Sequence, residues 1–96
     1  MFSRKADDDK TASRTVTISN PLGLHARPAA EFARHARAFR AKVWLVKDGT
    51  RFSAASLIEI LRANLLQGAT ATLEAKGRDA EEAVERLARL LREFKD

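Results

Sequence analysis

"TVTISNPLGLHARPAAEFARHARAF", residues 15–39, changes its period half-way along. Up to Asn20 the residues alternate, with Val16 and Ile18 on one face, which is the two-residue repeat of a strand. Asn20-Pro21 and Gly23 punctuate its end. From Ala26 to about Phe39 the repeat becomes helical: Ala29, Phe32, Ala33, Ala36 and Phe39 share a stripe, while Glu31, Arg34 and Arg37 face water. Pro28 fits this helix, because the first amides of a helix have no internal partner and a proline there forfeits nothing.

The remaining chain supplies more elements of the same two kinds. "KVWLV" is β-branched and aromatic, and Asp48-Gly49 after it is a strong hairpin signal, with "TRFSA" as the returning strand. Ser56 to about Ala63 reads as a short apolar helix whose Ser56-x-x-Glu59 start fits a capping box. "ATATLEA" alternates Ala69, Ala71, Leu73 and Ala75 against polar positions, a fourth strand. Lys76-Gly77 turns the chain and Asp79 caps a last helix that buries Ala80, Val84, Leu87, Leu91 and Phe94. Glu82–Arg86 and Glu85–Arg89 are i,i+4 pairs on its outside. The order is β-α-β-β-α-β-α. An α+β, two-layer open-faced sandwich, a four-stranded sheet with three helices on one face, is the architecture that buries these stripes.

Ninety-six residues make one small domain. Residues 1–14 have no periodicity and mix both charges, so they read as a disordered tail before a domain at 15–96. The "ADDDK" within the tail resembles part of a protease-cleavage linker. There is no cysteine, which excludes disulfides and thiolate metal sites, and two histidines ten residues apart do not make a conventional zinc site. No cofactor is implied. No apolar run approaches the about 20 residues of a membrane span, and the charged start is unlike a secretory signal, so a cytoplasmic location is expected. The net charge of +5 is concentrated in residues 25–52, where seven Lys/Arg stand against Glu31 and Asp48. Such a face draws phosphates or acidic partners. Nucleic acid is disfavoured as the partner, because there is no tyrosine and most phenylalanines hold helix-core spacing.

His25 stands immediately before the first helix. The free amides of that first turn, at Ala26 and Arg27, carry about half a positive charge and form a ready anion site. Arg27 adds a guanidinium fork suited to phosphate oxygens, and Gly23 lets the chain turn tightly. A phosphoryl group arriving at the imidazole would find its charge compensated, which is most of what phosphoryl transfer asks of a protein. On spacing alone the alternative stands open, a histidine that only caps or packs. His35, on the outer part of the helix among arginines, reads as a solvated residue.

"GLHARPAAEFARHARAF" resembles the active-site segment of the HPr family, the histidine-containing phosphocarriers of the bacterial phosphoenolpyruvate-dependent sugar phosphotransferase system. "SLIEILRANLLQGATATLEAKGRDAEEAVERLARLL" is similar to that family's second half, so the likeness spans about residues 15–95. The resemblance implies an antiparallel sheet in the order 1-4-2-3. It implies that His25 is the residue phosphorylated on Nδ1 and that Arg27 steadies the phosphate. It implies enzyme I as donor and the IIA domains of sugar permeases as acceptors, the chain being a relay without turnover of its own; nothing in the sequence demands more than a monomer. Docking would use apolar residues of the short helix, such as Leu57, beside the basic residues near Arg27.

Ser56 aligns with the serine that a dedicated HPr kinase phosphorylates in many low-GC Gram-positive bacteria. Ala55 in place of the common lysine, "LIEIL" in place of Ile-Met-Gly-Val-Met, and Glu59 one turn on all weigh toward capping alone. Two alternatives to sugar uptake stay open: a regulatory, nitrogen-type paralogue that keeps the same histidine, and a non-catalytic basic interaction module.

Overall fold

In the computed structural model, which describes residues 9–96, the chain runs β1 (Thr11–Thr17), α1 (Ala26–Arg37), β2 (Lys42–Lys47), β3 (Thr50–Ser53), α2 (Leu57–Arg62), β4 (Thr70–Lys76) and α3 (Ala80–Glu93). The four strands form one antiparallel sheet in the order β1-β4-β2-β3, as expected. The central register sets Leu45 of β2 against Leu73 of β4, both fully buried, and Val43 against Ala75. Phe32 of α1, Ile60 of α2, and Leu87 and Leu91 of α3 close over that face. Alanines line the inner stripes of α1 (Ala29, Ala33, Ala36) and α3 (Ala80, Ala83, Ala88), so both helices can lie close to what they cover. The opposite face carries Trp44 and Glu74 side by side, with the Arg51 guanidinium 3.9 Å from the centre of the Trp44 ring and 3.5 Å from the Glu74 carboxylate.

Four local expectations are adjusted. β1 begins at Thr11, four residues before the expected domain start, and Thr11–Arg14 pair with Lys76–Leu73 of β4. Their alternation was illegible because this end of an edge strand offers only Ala12 to the core, and the ladder to β4 holds it instead. The expectation of a disordered tail over residues 1–8, with most of "ADDDK", lies outside the described residues. Helix α1 stops at Arg37, and Phe39 lies just beyond it, half-buried against the core.

The other two adjustments concern caps. Ser56 Oγ accepts the Glu59 amide at 3.2 Å, but the Glu59 carboxylate accepts from Ser53 N–H at 3.2 Å, so the reciprocal arm of the box reaches back to β3. Asp79 occupies the N-cap position of α3 without capping it. Its two carboxylate oxygens accept the amides of Arg40 (2.9 Å) and Ala41 (2.7 Å) from the α1–β2 connection. A short acidic side chain at a helix start has the same sequence signature whether it caps its own helix or ties down a distant turn. At Asp48-Gly49 the two left-handed residues (φ 51° and 80°) form the expected hairpin turn between β2 and β3.

Asp79→Ala leaves two amides without acceptors, one of them part-buried, and is expected to destabilise the domain by about 2 kcal/mol. Denaturant unfolding followed by Trp44 fluorescence checks this: the midpoint falls while the slope is unchanged.

Candidate phosphoryl-acceptor site

The segment between β1 and α1 is seated on the segment between α2 and β4. Ile18 N–H donates to Ala69 O (2.9 Å), Gly68 N–H to Ile18 O (2.8 Å) and Leu24 N–H to Leu65 O (2.9 Å). Gly23 lies where these segments touch. It has φ 67°, and a Cβ there would stand 2.5 Å from Leu65 O and 2.9 Å from Leu66 Cα. Both the conformation and the space therefore demand glycine. The contact delivers His25 to the N-cap position of α1 with extended backbone (φ −75°, ψ −177°).

The imidazole does not cap the helix: it makes no hydrogen bond to the first-turn amides. Its Nε2 lies 3.0 Å from the main-chain oxygen of Asp96, which can only accept, so Nε2 is the donor of this contact and Nδ1 is the ring nitrogen it leaves unengaged. The side chain is 35% exposed. Among the first helical positions Pro28 has no N–H and the Ala29 amide is taken by His25 O (2.9 Å). Among the described residues the amides of Ala26 and Arg27 have no partner at this helix start, next to His25 in the chain. Arg27, 67% exposed, forms an ion pair with the Asp96 carboxylate, whose Oδ2 also lies 3.9 Å from His25 Nε2.

The expected residues His25, Ala26 and Arg27 thus come together at one helix start, with an imidazole, two amides that have no partner among the described residues, and a guanidinium. Ser56 stands apart in role, engaged as the α2 cap. Leu57 is half-buried against the core, and the outward apolar positions of α2 are Ile58 and Leu61. With Leu22 (64% exposed) and Leu66 (59%) they are the exposed large hydrophobic side chains among the described residues, Leu22 and Leu66 lying beside Gly23. His35 is exposed, 4.0 Å from the Glu31 carboxylate one turn earlier.

Sequence reasoning missed Asp96 and Asn20. Asp96 lies 71 residues from His25 and carries no local signal. Asn20 was legible only as a strand terminator, whereas its side chain is buried and donates to Gly23 O at 2.6 Å. No helix among the described residues is long and apolar enough to cross a membrane.

The PTS-HPr family profile, described as "PTS HPr component phosphorylation site", matches residues 12–93. The chain belongs to the HPr family of phosphocarriers. It is 38% identical to the phosphocarrier protein HPr of Buchnera aphidicola (subsp. Acyrthosiphon pisum) over 82% of this chain and 93% of that one. It is 41% identical to the phosphocarrier protein NPr of Shewanella violacea, over 81% of this chain and 86% of the other. The crystal structure of HPr from Bacillus anthracis superposes with a TM-score of 0.81 at 36% identity, covering 85% of this chain and 98% of that one. HPr-family phosphocarriers belong to the phosphotransferase system, and the β-α-β-β-α-β-α order with sheet order 1-4-2-3 is their fold.

Two measurements check the local geometry. Deleting Asp96 removes the Nε2–H acceptor, so the neutral His25 ring, followed by its two ¹⁵N resonances at alkaline pH, should move from the Nε2–H tautomer toward a mixture. Ser56→Ala should cost about 1 kcal/mol of stability, the worth of an N-cap, in thermal unfolding.

Proposed function

We propose that this chain relays a phosphoryl group through His25, accepting it from phospho-enzyme I and passing it to IIA domains in phosphoenolpyruvate-dependent sugar uptake. The observation that carries this is the contact of His25 Nε2 with Asp96 O at 3.0 Å, which leaves Nδ1 as the ring nitrogen available for attack, near the Ala26 and Arg27 amides that have no partner among the described residues. Nδ1 attacks the donor's phosphorus, the bond from phosphorus to the donor breaks, and the Nδ1–P bond forms with no change of oxidation state. The ring keeps its Nε2 proton and gains positive charge, which Asp96 Oδ2, 3.9 Å away, offsets. The phosphoryl oxygens meet the Ala26 and Arg27 amides. Arg27 exchanges the Asp96 carboxylate for the phosphate as its partner, so Asp96 acts as the internal counter-anion of the empty site.

Exposure suits this role, since a relay must be reached by two partners in turn. The apolar residues Leu22, Ile58, Leu61 and Leu66 are the surface on which those partners would dock, with the basic charge of α1 steering acidic ones. The chain acts as a cytoplasmic carrier and not as a turnover enzyme. A regulatory, nitrogen-type relay is the second reading, favoured by identity to an NPr as high as that to the HPr relative (41% and 38%). It uses the same chemistry with a different IIA partner.

Incubation with enzyme I, phosphoenolpyruvate and magnesium should add one acid-labile phosphoryl group by intact mass, and none to His25→Ala. Arg27→Glu should slow transfer by about 10²-fold, because a like charge replaces the phosphate's counter-ion. No added phosphate on the wild type with a demonstrably active enzyme I would sink the relay.

A further inference from the structure

Asn20 is the one buried polar residue in the described chain, 2% exposed, and its Oδ1 has no protein partner among the described residues. Its Nδ2 donates to Gly23 O at 2.6 Å. The side-chain orientation is fixed by that neighbour: a carbonyl can accept only from the amide nitrogen. A turn closed by main chain alone already exists here, because Gly23 N–H donates to Asn20 O at 3.0 Å. The side chain therefore adds something beyond closing the turn.

What it adds falls on the peptide unit between Gly23 and Leu24. The carbonyl of that unit accepts twice, from Asn20 Nδ2 and from His25 N–H (2.9 Å). Its N–H, on Leu24, donates to Leu65 O at 2.9 Å. Gly23 is the residue with the freedom to let this plane rotate, and rotation would swing the His25 main chain with it.

We propose that Asn20 is a positioning residue for phosphoryl transfer: by holding the Gly23 carbonyl it fixes the His25 backbone, and hence the direction of Nδ1 relative to the Ala26 and Arg27 amides. The proposal rests on His25 being the phosphoryl acceptor. Asn20 touches neither donor nor phosphate and acts only through Gly23 and His25.

Two variants test it on the folded protein. Asn20→Ala removes the donor, and the maximal rate of transfer from phospho-enzyme I should fall about tenfold or more, since small misplacements of a reacting group are costly. The final stoichiometry stays at one phosphate, and the His25 amide and imidazole ¹⁵N resonances shift. Asn20→Asp is nearly isosteric and can donate to Gly23 O only when its carboxyl is protonated. Its rate relative to Asn20→Ala, at matched pH so that titration of His25 and Asp96 cancels, should rise as the pH is lowered. A stability contribution alone would leave that ratio for folded protein flat. Wild-type rates in Asn20→Ala, or a flat ratio for Asn20→Asp, would overturn the proposal. Should the wild type accept no phosphate, the relay itself fails. The His25 resonances in Asn20→Ala then decide separately: a shift upholds the positioning and unchanged resonances overturn it.

Discussion

The structure hangs on one backbone-to-backbone approach, Gly23 against Leu65 and Leu66. Without a side chain, and with φ at 67°, Gly23 lets the β1–α1 segment lie directly on the α2–β4 segment. Any Cβ would overlap the Leu65 carbonyl oxygen, and the Leu24–Leu65 hydrogen bond would open. That contact sets where α1 starts, and the start of α1 is the candidate site. The supporting segment is itself anchored. Lys47 of β2 donates from Nζ to the carbonyls of Ala63 (3.1 Å) and Asn64 (2.8 Å), a cation at the end of α2, where the helix carries its partial negative charge.

A second constraint joins the two ends of the helical layer. Asp79, at the start of α3, holds the amides of Arg40 and Ala41 just after α1. Asp96, just after α3, meets His25 and Arg27 at the start of α1. The two helices therefore run antiparallel, and the alanines on their inner stripes let them pack close to the sheet and to each other. One consequence is chemical. The Asp96 carboxylate pairs with Arg27 and the Asp96 main-chain oxygen faces His25 Nε2, so in the proposed relay an arriving phosphate would take over a charge pairing that already exists.

The proposed site is open to solvent. Its electrostatic groups are the Ala26 and Arg27 amides and the exposed Arg27 guanidinium at the start of α1, and Leu22, Ile58, Leu61 and Leu66 face solvent as well. In the proposed relay two protein partners must reach His25 in turn, and a fully formed pocket would hinder that.

Much of this was legible in the sequence because it is local. The change of period at Asn20–Ala26, the Asp48-Gly49 turn and the stripes of α1 and α3 are properties of near neighbours, and so is a histidine-arginine pair at a helix start. These fixed the element order, the fold class, the family resemblance and the grouping of His25, Ala26 and Arg27. The first half of β1 was not legible, because an edge strand held by its ladder needs little apolar alternation. Nor could the short apolar helix tell which leucines face out: with LIEIL nearly all apolar, only packing turned Ile60 inward, left Leu57 half-buried and put Ile58 and Leu61 outside. The tertiary structure alone decided the partners of Asp79, Asn20 and Asp96. A short polar side chain carries no pattern of its own, and the atoms it serves come from chain segments that only folding brings within 3 Å.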